Sequence, residues 1–495
     1  MGFARLTLAL FSALALIAAA PEPAAQSAGL GLHVHSCVVP QTKIPAQCGT
    51  FGVYEKRAAH AGRVIQLQLM AVPAVHPQHR AIAEIAGGPG QAITPFAGYF
   101  LSGQAGKARS TLHQTYDYIY MNDRGMMGSN DFNCDFAPAN DPGAYMAYLF
   151  PPKILASCRA KNLATHDLPQ YNTNNAVDDL DDIRAALGYD KIVLSGGSYG
   201  TFFSLVYLRR HAQHVESEVL DGVAPPGFQP LPGEPLGAQH ALDDLFLKCR
   251  TNAACNSRFP LFKQHFHELL QRFNSGPLMV PAKNITTKRM QTVPLSKEVF
   301  VDTLRHLLYD SAAASYVPYI VEQAYDRDYA PLGQMMQLAI FGEFAGLEPA
   351  YLAYSCSDFM PFLSASQVRY AAAHSFTGDL RIKAQQQACK TWAVPPMPAS
   401  FNDPVRSDVP VLMILGSDDP ATPAKYGLEA LRYLPNGRAV LVNGGGHGAD
   451  TACTDTLVVQ FVHAQSAAGL NLKQCSSTFT LPRFATSMKG LPPLP

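Results

Sequence analysis

The stretch KIVLSGGSYG, residues 191–200, decides the fold of this chain. Its first half is a short apolar run with the composition of a buried strand, and its second half, Gly196-Gly197-Ser198-Tyr199-Gly200, has the form G-x-S-x-G. Between a strand and a helix, this pattern is typical of a nucleophile elbow, a strained turn that projects the serine hydroxyl from the end of a sheet. Residues 201–208, TFFSLVYL, supply an apolar helix start. The stretch therefore predicts Ser198 as a nucleophile, with a chance glycine-rich turn as the alternative.

Segments of strand character and helix character alternate on both sides of this stretch. The helix expected over residues 175–187 has apolar side chains at helical spacing. The expected strands are residues 63–72, 81–86, 116–121, 191–195, 215–220, 409–415 and 438–442. This alternation predicts an α/β fold with a mainly parallel sheet and helices on both faces. The same helix carries an acidic run that we expect to be a solvated first turn: Asp178, Asp179, Asp181 and Asp182.

The alternation stops between residues 225 and 400, where helical patterns dominate. We expect this segment to be a mostly helical cap inserted over the C-terminal edge of the sheet. A chain of 495 residues is too long for one ordinary core, so more than one structural unit is expected. The predicted organisation is a signal peptide at 1–25, a first core part at 26–224, the cap at 225–400 and a second core part at 401–495.

Residues 1–25 have the composition of a secretory signal peptide. One positive charge, at Arg5, precedes an apolar stretch over residues 6–20, and prolines follow at positions 21 and 23. The stretch is short for a membrane anchor, which is the alternative. We therefore expect a secreted or periplasmic protein, with no membrane association after signal removal.

The ten cysteines contain no C-x-x-C pair, which argues against a zinc site. An even number after a signal peptide predicts disulfides, with free buried thiols as the alternative. Pairing in sequence order closes only short loops, and it is the pairing we expect: Cys37–Cys48, Cys134–Cys158, Cys249–Cys255, Cys356–Cys389 and Cys453–Cys475.

Charge is balanced, with 38 basic and 38 acidic residues and only 15% of the chain charged. The absence of a basic stripe excludes nucleic acid as an expected partner. We expect no metal and no cofactor. The sequence leaves the oligomeric state open.

A serine nucleophile needs a general base, and the base needs an orienting acid. The order serine, acid, histidine along the chain places the base after a late strand. His447 follows the strand expected at 438–442 and lies in a glycine-rich loop, so we predict that it is the base. A histidine in a surface loop is the alternative.

The acid should follow the strand expected at 409–415. Asp418 and Asp419 both do so, and Asp419 is our choice. Asp450, three residues past His447, is a weaker candidate. Each could instead be a turn or helix-cap residue.

The negatively charged intermediate needs two backbone donors. We predict the N–H of Tyr199, directly after the nucleophile, and that of Gly88 in the loop Gly87-Gly88-Pro89-Gly90. A plain Gly-Pro-Gly turn is the alternative for this loop.

In their shared order, these motifs resemble the proline iminopeptidase and tripeptidyl aminopeptidase family of α/β-hydrolases, over nearly the whole mature chain. The cysteine-rich segments resemble its secreted tripeptidyl branch. The resemblance implies an α/β-hydrolase fold and a Ser198, Asp419, His447 triad, and it selects Asp419 over Asp418 because the family's acid precedes Pro-x-Thr-Pro. The chain departs from the family at Ala86, where a histidine is common. The motifs that carry the resemblance are Gly87–Gly90, Asp123–Ser129, Gly196–Thr201, Leu220–Val223, Asp419–Pro423 and Gly446–Gly448.

The resemblance implies an aminopeptidase that cleaves short units from peptide N-termini, with a peptide or small acyl substrate. An esterase on the same machinery and a catalytically silent binding protein are the alternatives. Exopeptidases of this family bind the free α-amine through acids of the cap. The chain offers seven such acids, of which Asp358 is slightly favoured by its place near Cys356: Glu298, Asp302, Asp310, Glu322, Asp326, Glu343 and Asp358.

Overall fold

The computed structural model describes residues 29–132, 134–228, 230–343 and 348–491. The predicted signal peptide, residues 1–25, lies outside the described residues. Within the described ranges, no helix has both the length and the apolar character needed to cross a bilayer.

The strands of the described residues form one large sheet and one hairpin. Nine strands make the large sheet, in the order β1-β2-β3-β5-β4-β6-β7-β10-β11, and β8 pairs with β9. All pairs from β5 to β11 across this sheet are parallel, and β1, β2, β3 and β5 pair antiparallel. The strands are β1 (Gly31–Val38), β2 (Pro45–Tyr54), β3 (Val64–Val72), β4 (Ala81–Ile85), β5 (Asp117–Met121), β6 (Ile192–Gly197), β7 (Val215–Asp221), β8 (Leu278–Lys283), β9 (Met290–Leu295), β10 (Val411–Gly416) and β11 (Gly437–Val442).

Helices cover both faces of the sheet and make up most of the segment between β7 and β10. In chain order they are α1 (Ala97–Leu101), α2 (Pro142–Ala147), α3 (Pro152–Leu163), α4 (Thr173–Ala186), α5 (Tyr199–His211), α6 (Pro230–Thr251), α7 (Ala253–Arg258), α8 (Phe262–Arg272), α9 (Lys297–Leu307), α10 (Ser311–Ala314), α11 (Val317–Tyr325), α12 (Ala330–Glu343), α13 (Glu348–Asp358), α14 (Ala365–Ala373), α15 (Leu380–Trp392), α16 (Ala424–Ala430) and α17 (Ala452–Ala464).

The parallel strands are buried on both faces, which explains their continuous apolar runs. In β6, Val193 packs in the cluster that contains Phe461 of α17, whereas its neighbour Leu194 packs in the cluster that contains Leu180 of α4 and Phe203 of α5. The predicted α/β architecture is confirmed, and every predicted strand is present within two residues of its expected bounds. The sheet therefore presents the carboxyl ends of β4, β6, β7, β10 and β11 at one edge.

Two strands of the large sheet were not predicted. β1 is largely exposed, and β2 contains Pro45 and two glycines, so neither shows the apolar pattern of a buried strand. They extend the sheet at its antiparallel edge, away from the strands that carry the predicted site residues.

The segment between β7 and β10 comprises α6 to α15 and the hairpin β8–β9, and we call it the cap. It has its own apolar cluster, which includes Phe266, Leu304 and Met336 together with Tyr145 and Met146 from the preceding core part. Its mostly helical character agrees with the sequence pattern, whereas the hairpin was not predicted.

The ten cysteines, all among the described residues, form five disulfides in sequence order, as predicted. Each closes a loop of 6 to 33 residues, and such links stabilise the fold mainly by restricting the unfolded chain. The pairs are Cys37–Cys48, Cys134–Cys158, Cys249–Cys255, Cys356–Cys389 and Cys453–Cys475.

The prediction that the acidic run of α4 is a solvated first turn was wrong. α4 begins at Thr173, so the run lies in its second and third turns. Asp179 is fully buried because Arg124, itself fully buried, binds its carboxylate through Nε at 2.6 Å and Nη2 at 3.0 Å. Arg57 binds the same carboxylate at 2.6 Å. This ion pair fixes the helix that precedes β6.

Candidate active site

The turn between β6 and α5 has the geometry of a nucleophile elbow. Ser198 lies between them with φ 56° and ψ −123°, a strained conformation for a non-glycine residue, and its N–H donates to the carbonyl of Asp221 at 2.9 Å. A β-carbon at position 196 would lie 2.5 Å from the Gly200 oxygen, and one at position 200 would lie 2.6 Å from the Ile85 oxygen. Only glycine fits at these two positions.

The predicted base and acid lie together. His447 follows β11, and its Nδ1 lies 3.0 Å and 3.1 Å from the two carboxylate oxygens of Asp419, which follows β10. Because a carboxylate only accepts, Nδ1 carries the proton and Nε2 is left as the basic nitrogen. Asp419 is 2% exposed and also accepts from the N–H and Oγ1 of Thr422. Although burial opposes ionisation, His447 and these hydrogen bonds hold the pKa of Asp419 below its ordinary value.

The two competing acids have other partners. Asp418 binds the Lys248 ammonium and the Ser417 hydroxyl, and Asp450 binds the Arg109 guanidinium. The structure thus places Asp419, rather than Asp418, against the imidazole of His447.

A cavity of about 410 Å³ lies between the sheet edge and the cap, and Ser198 and His447 both line it. The predicted oxyanion donors Tyr199 and Gly88 line the same cavity. A β-carbon at Gly87 would lie 3.5 Å from the β-carbon of Ser198, so the glycine loop passes close to the nucleophile. The four predicted residues therefore line one cavity.

The cap also reaches the predicted base. The backbone N–H of His447 donates to the carbonyl of Tyr309, two residues after the end of α9, and the two rings pack edge to face with centroids 4.7 Å apart. The Tyr309 hydroxyl in turn contacts the Arg305 guanidinium. Sequence reasoning missed Tyr309, because nothing in its neighbourhood indicates contact with a loop 138 residues away.

The cap wall of the cavity carries a cluster of two acids and two arginines, of which Asp302 and Arg305 are buried. Arg305 lies 3.1 Å from Glu234 and 3.2 Å from Asp302, and Arg381 lies 2.7 Å from Asp302. Although burial opposes ionisation, Arg381 and Arg305 hold the pKa of Asp302 well below its ordinary value. Asp302 was among the predicted cap acids, whereas Glu234 and the two arginines were not. These residues come from three separate helices, α6, α9 and α15, so no local pattern marks them.

The favoured cap acid, Asp358, lies elsewhere. It is fully buried and accepts hydrogen bonds from Thr173 and Ser357, and burial raises its pKa to about 6. Glu298 accepts from the Leu149 N–H, and the Asp310 side chain caps α10. Glu322 binds His265. Among the described residues, the cap acids that line the cavity are Glu234 and Asp302.

Among the residues that the structure describes, one cluster has ligand spacing suited to a metal. The ligand atoms of Asp181, His211 and His214 lie within 4.8 Å of one another, at the end of α5 opposite Ser198. Arg184 and Tyr207 already donate to Asp181, and each histidine binds a carboxylate. This arrangement is an ion-pair network that links α4 to α5.

Two family models match separate parts of the chain. The α/β hydrolase fold model matches residues 135–286, and the model described as TAP-like protein matches residues 374–469. The serine protease Hip1 of Mycobacterium tuberculosis H37Rv is 25% identical over 466 residues, which is 86% of each chain. The tripeptidyl aminopeptidase of Streptomyces coelicolor is 29% identical over 225 residues, 41% of this chain and 40% of that protein. With the strand order and the elbow between β6 and α5, these matches identify the chain as an α/β-hydrolase of the family that contains the tripeptidyl aminopeptidases.

Proposed function

We propose that the protein is an exported serine aminopeptidase that removes short units from peptide N-termini, with Ser198 as nucleophile, His447 as general base and Asp419 as orienting acid. The observation that carries the proposal is the hydrogen bond between His447 and the buried Asp419, because His447 lines the same cavity as the strained Ser198. The relatives named as a serine protease and a tripeptidyl aminopeptidase support peptide as the substrate. Five disulfides and the signal-like composition of residues 1–25 support export.

The reaction follows from the geometry. The Ser198 Oγ attacks the substrate carbonyl while Nε2 of His447 takes the hydroxyl proton, and Asp419 stabilises the resulting imidazolium. The N–H groups of Tyr199 and Gly88 would bind the oxyanion. The carbon–nitrogen bond then breaks, His447 returns the proton to the leaving amine, and water hydrolyses the acyl-enzyme by the same steps.

An esterase is the second candidate. Its specific support is that both cap acids lining the cavity, Glu234 and Asp302, are already paired with arginines. A free α-amine would therefore meet a charge-balanced cap wall rather than an unpaired carboxylate.

The first test is covalent labelling of the intact protein with a fluorophosphonate probe, with Ser198→Ala as the control. We expect labelling of the native protein alone. If the native protein is not labelled, the silent binding protein remains; if the variant is still labelled, another residue is the nucleophile.

A panel of matched free-amine peptides, N-acylated peptides and esters then separates the aminopeptidase from the esterase. Turnover of esters and N-acylated peptides without turnover of free-amine peptides would favour the esterase.

The pH dependence of the hydrolysis rate tests the base. A hydrolysis rate that stays flat down to about pH 4 would contradict His447 as the general base.

A further inference from the structure

A fully buried asparagine after β5 binds the chain that follows the glycine loop of the proposed oxyanion site. Asn122 directly follows β5, is 0% exposed, and its backbone N–H donates to the carbonyl of Gln68 in β3 at 2.9 Å. Its side-chain Oδ1 accepts from the backbone N–H groups of Ile93 at 2.8 Å and Thr94 at 3.0 Å. Asn122 therefore fixes the chain shortly after the loop that contains Gly88.

The partners of Asn122 determine the orientation of its amide group. Two backbone N–H groups can only donate, so the amide atom that faces them is the oxygen. The Nδ2 group donates to Oγ1 of Thr94 at 2.9 Å and lies 3.3 Å from the sulfur of Met127. The amide thus uses both its oxygen and its nitrogen, as a buried polar group should. An apolar side chain at this position would deprive the N–H groups of Ile93 and Thr94 of their acceptor.

The glycine loop between β4 and this anchor passes the proposed nucleophile. A β-carbon at Gly87 would lie 3.5 Å from the β-carbon of Ser198, and Gly88 lines the cavity with a φ of 109°. Glycine has the greatest backbone freedom of any residue, so the loop sequence alone does not hold one conformation. The loop is instead fixed at its two ends, by β4 within the sheet and by Asn122 beyond it.

The position of Asn122 is itself fixed by the sheet and by a buried ion pair. β5 pairs with β3 on one side and with β4 on the other. Two residues after Asn122, the Arg124 guanidinium binds the buried Asp179 carboxylate at 2.6 Å. A backbone donor stabilises an oxyanion only if its N–H points at the place where that charge develops. The glycine loop therefore takes its support from a rigid part of the fold.

We propose that Asn122 is a positioning residue, which holds the N–H of Gly88 in place for the oxyanion that forms at Ser198. The inference rests on the proposed serine hydrolase function and adds to it a residue outside the cavity lining. Because the oxyanion develops only during the reaction, loss of Asn122 should lower kcat and leave KM nearly unchanged. A residue that only stabilises the fold would lower the melting temperature without this selective effect.

The first experiment compares two inhibitors that differ at the attacked carbon. Trifluoromethyl hexyl ketone is attacked by a serine and then carries an oxyanion, whereas the corresponding secondary alcohol has no carbonyl to attack. Inhibition is measured as slower fluorophosphonate labelling of Ser198. We expect Asn122→Ala to weaken inhibition by the ketone about 10-fold or more, and inhibition by the alcohol less than about threefold, because only the ketone needs the oxyanion donors.

Asn284→Ala is the matched control for this experiment. Asn284 is also buried, and it lies in the turn between β8 and β9, away from the cavity. Its side chain accepts from the Thr287 N–H at 2.8 Å and donates to the Asn140 carbonyl at 2.9 Å. The control thus loses a buried amide that holds a turn, and it should inhibit like the native protein with both compounds.

The second experiment is steady-state hydrolysis of p-nitrophenyl butyrate. We expect Asn122→Ala to lower kcat about 10- to 100-fold and to keep KM within about threefold, as for a displaced catalytic group. Asn122→Asp keeps an oxygen acceptor for the N–H groups of Ile93 and Thr94 and should recover most of the lost kcat. Thermal unfolding checks that each variant folds. If Asn122→Ala does not fold, Asn122→Ser, whose hydroxyl is too short to reach both N–H groups, replaces it in both experiments.

Unchanged ketone inhibition in Asn122→Ala, or a native kcat, would overturn the role of Asn122. Equal weakening of ketone and alcohol inhibition would also overturn it, because that result indicates general damage to the cavity. The proposed hydrolase function fails separately, through absence of fluorophosphonate labelling at Ser198 in the native protein. Labelling of the native protein together with unchanged ketone inhibition in the variant would therefore reject the role of Asn122 alone.

Discussion

The backbone N–H of His447 donates to the carbonyl oxygen of Tyr309 at 3.0 Å, which joins the loop of the proposed base to the cap. The phenol ring packs against the imidazole, and the Tyr309 hydroxyl contacts Arg305, which lies 3.1 Å from Glu234. The cap is therefore more than a cover over the cavity, because it contacts His447, the proposed general base, through both a hydrogen bond and a ring contact.

Removing the ring of Tyr309 should slow the reaction. We expect Tyr309→Ala to lower kcat/KM about 10- to 100-fold, since a small displacement of a catalytic group has effects of that size. Tyr309→Phe keeps the ring and should retain most of the activity. The measurement is steady-state hydrolysis of an ester substrate, with thermal unfolding to check that both variants fold. Equal activity of native protein and Tyr309→Ala would show that the backbone hydrogen bond alone positions His447.

The two adjacent acids after β10 should differ sharply in effect. Asp419→Asn keeps the side-chain shape but offers an amide in place of a carboxylate to His447, so kcat should fall by about 10⁴. Asp418→Asn, the matched control, disturbs contacts to Lys248, Ser417 and Asp244 and should stay within about threefold of the native rate. Comparable losses in the two variants would contradict the assignment of Asp419.

The buried pair between Arg124 and Asp179 should be critical for stability. Asp179→Asn leaves the fully buried guanidinium without a balancing charge, so we expect a loss of about 3–5 kcal/mol in the free energy of unfolding. Asp182→Asn is the control, because Asp182 lies three residues away, is half exposed and contacts only the Arg57 side of the network. Its effect should stay within about 1 kcal/mol. Denaturant unfolding measures both, and similar values would mean that Arg124 finds another partner.

Local patterns were sufficient to predict the elbow, because the strand, the strained serine and the helix are contiguous in sequence. Asp419 and His447 lie three and five residues after apolar strands, which made them candidates, but the local pattern left Asp418 open beside Asp419 and the family resemblance selected between them. Patterns failed where a property depends on a distant residue. The burial of Asp179 requires Arg124 from another strand end, and the cap cluster joins Glu234 to Arg381 across helices far apart in the chain. Such pairings become visible only when the chain is folded.

The buried acid Glu218 should make the stability of the protein depend on pH. It lies in the middle of β7 with no exposure, and neither carboxyl oxygen has a hydrogen-bond partner within the described ranges. Burial raises its pKa to about 8 from an ordinary value of 4.5. Above about pH 4.5 the unfolded chain releases this proton while the folded protein retains it, so the contribution of Glu218 to stability is lost progressively as the pH rises toward 8.

Glu218→Gln removes this titration while keeping the size of the side chain. We expect the variant to melt a few degrees higher than the native protein at pH 8, and the difference to shrink as the pH falls toward 5. Glu216→Gln, on the same strand, is the control; because Glu216 is bound by Arg80, its loss should lower the melting temperature or leave it unchanged at pH 8. Melting curves across this pH range provide the measurement. A constant difference between Glu218→Gln and the native protein from pH 5 to pH 8 would mean that Glu218 does not titrate there, because only a proton retained by the folded state makes the gain depend on pH.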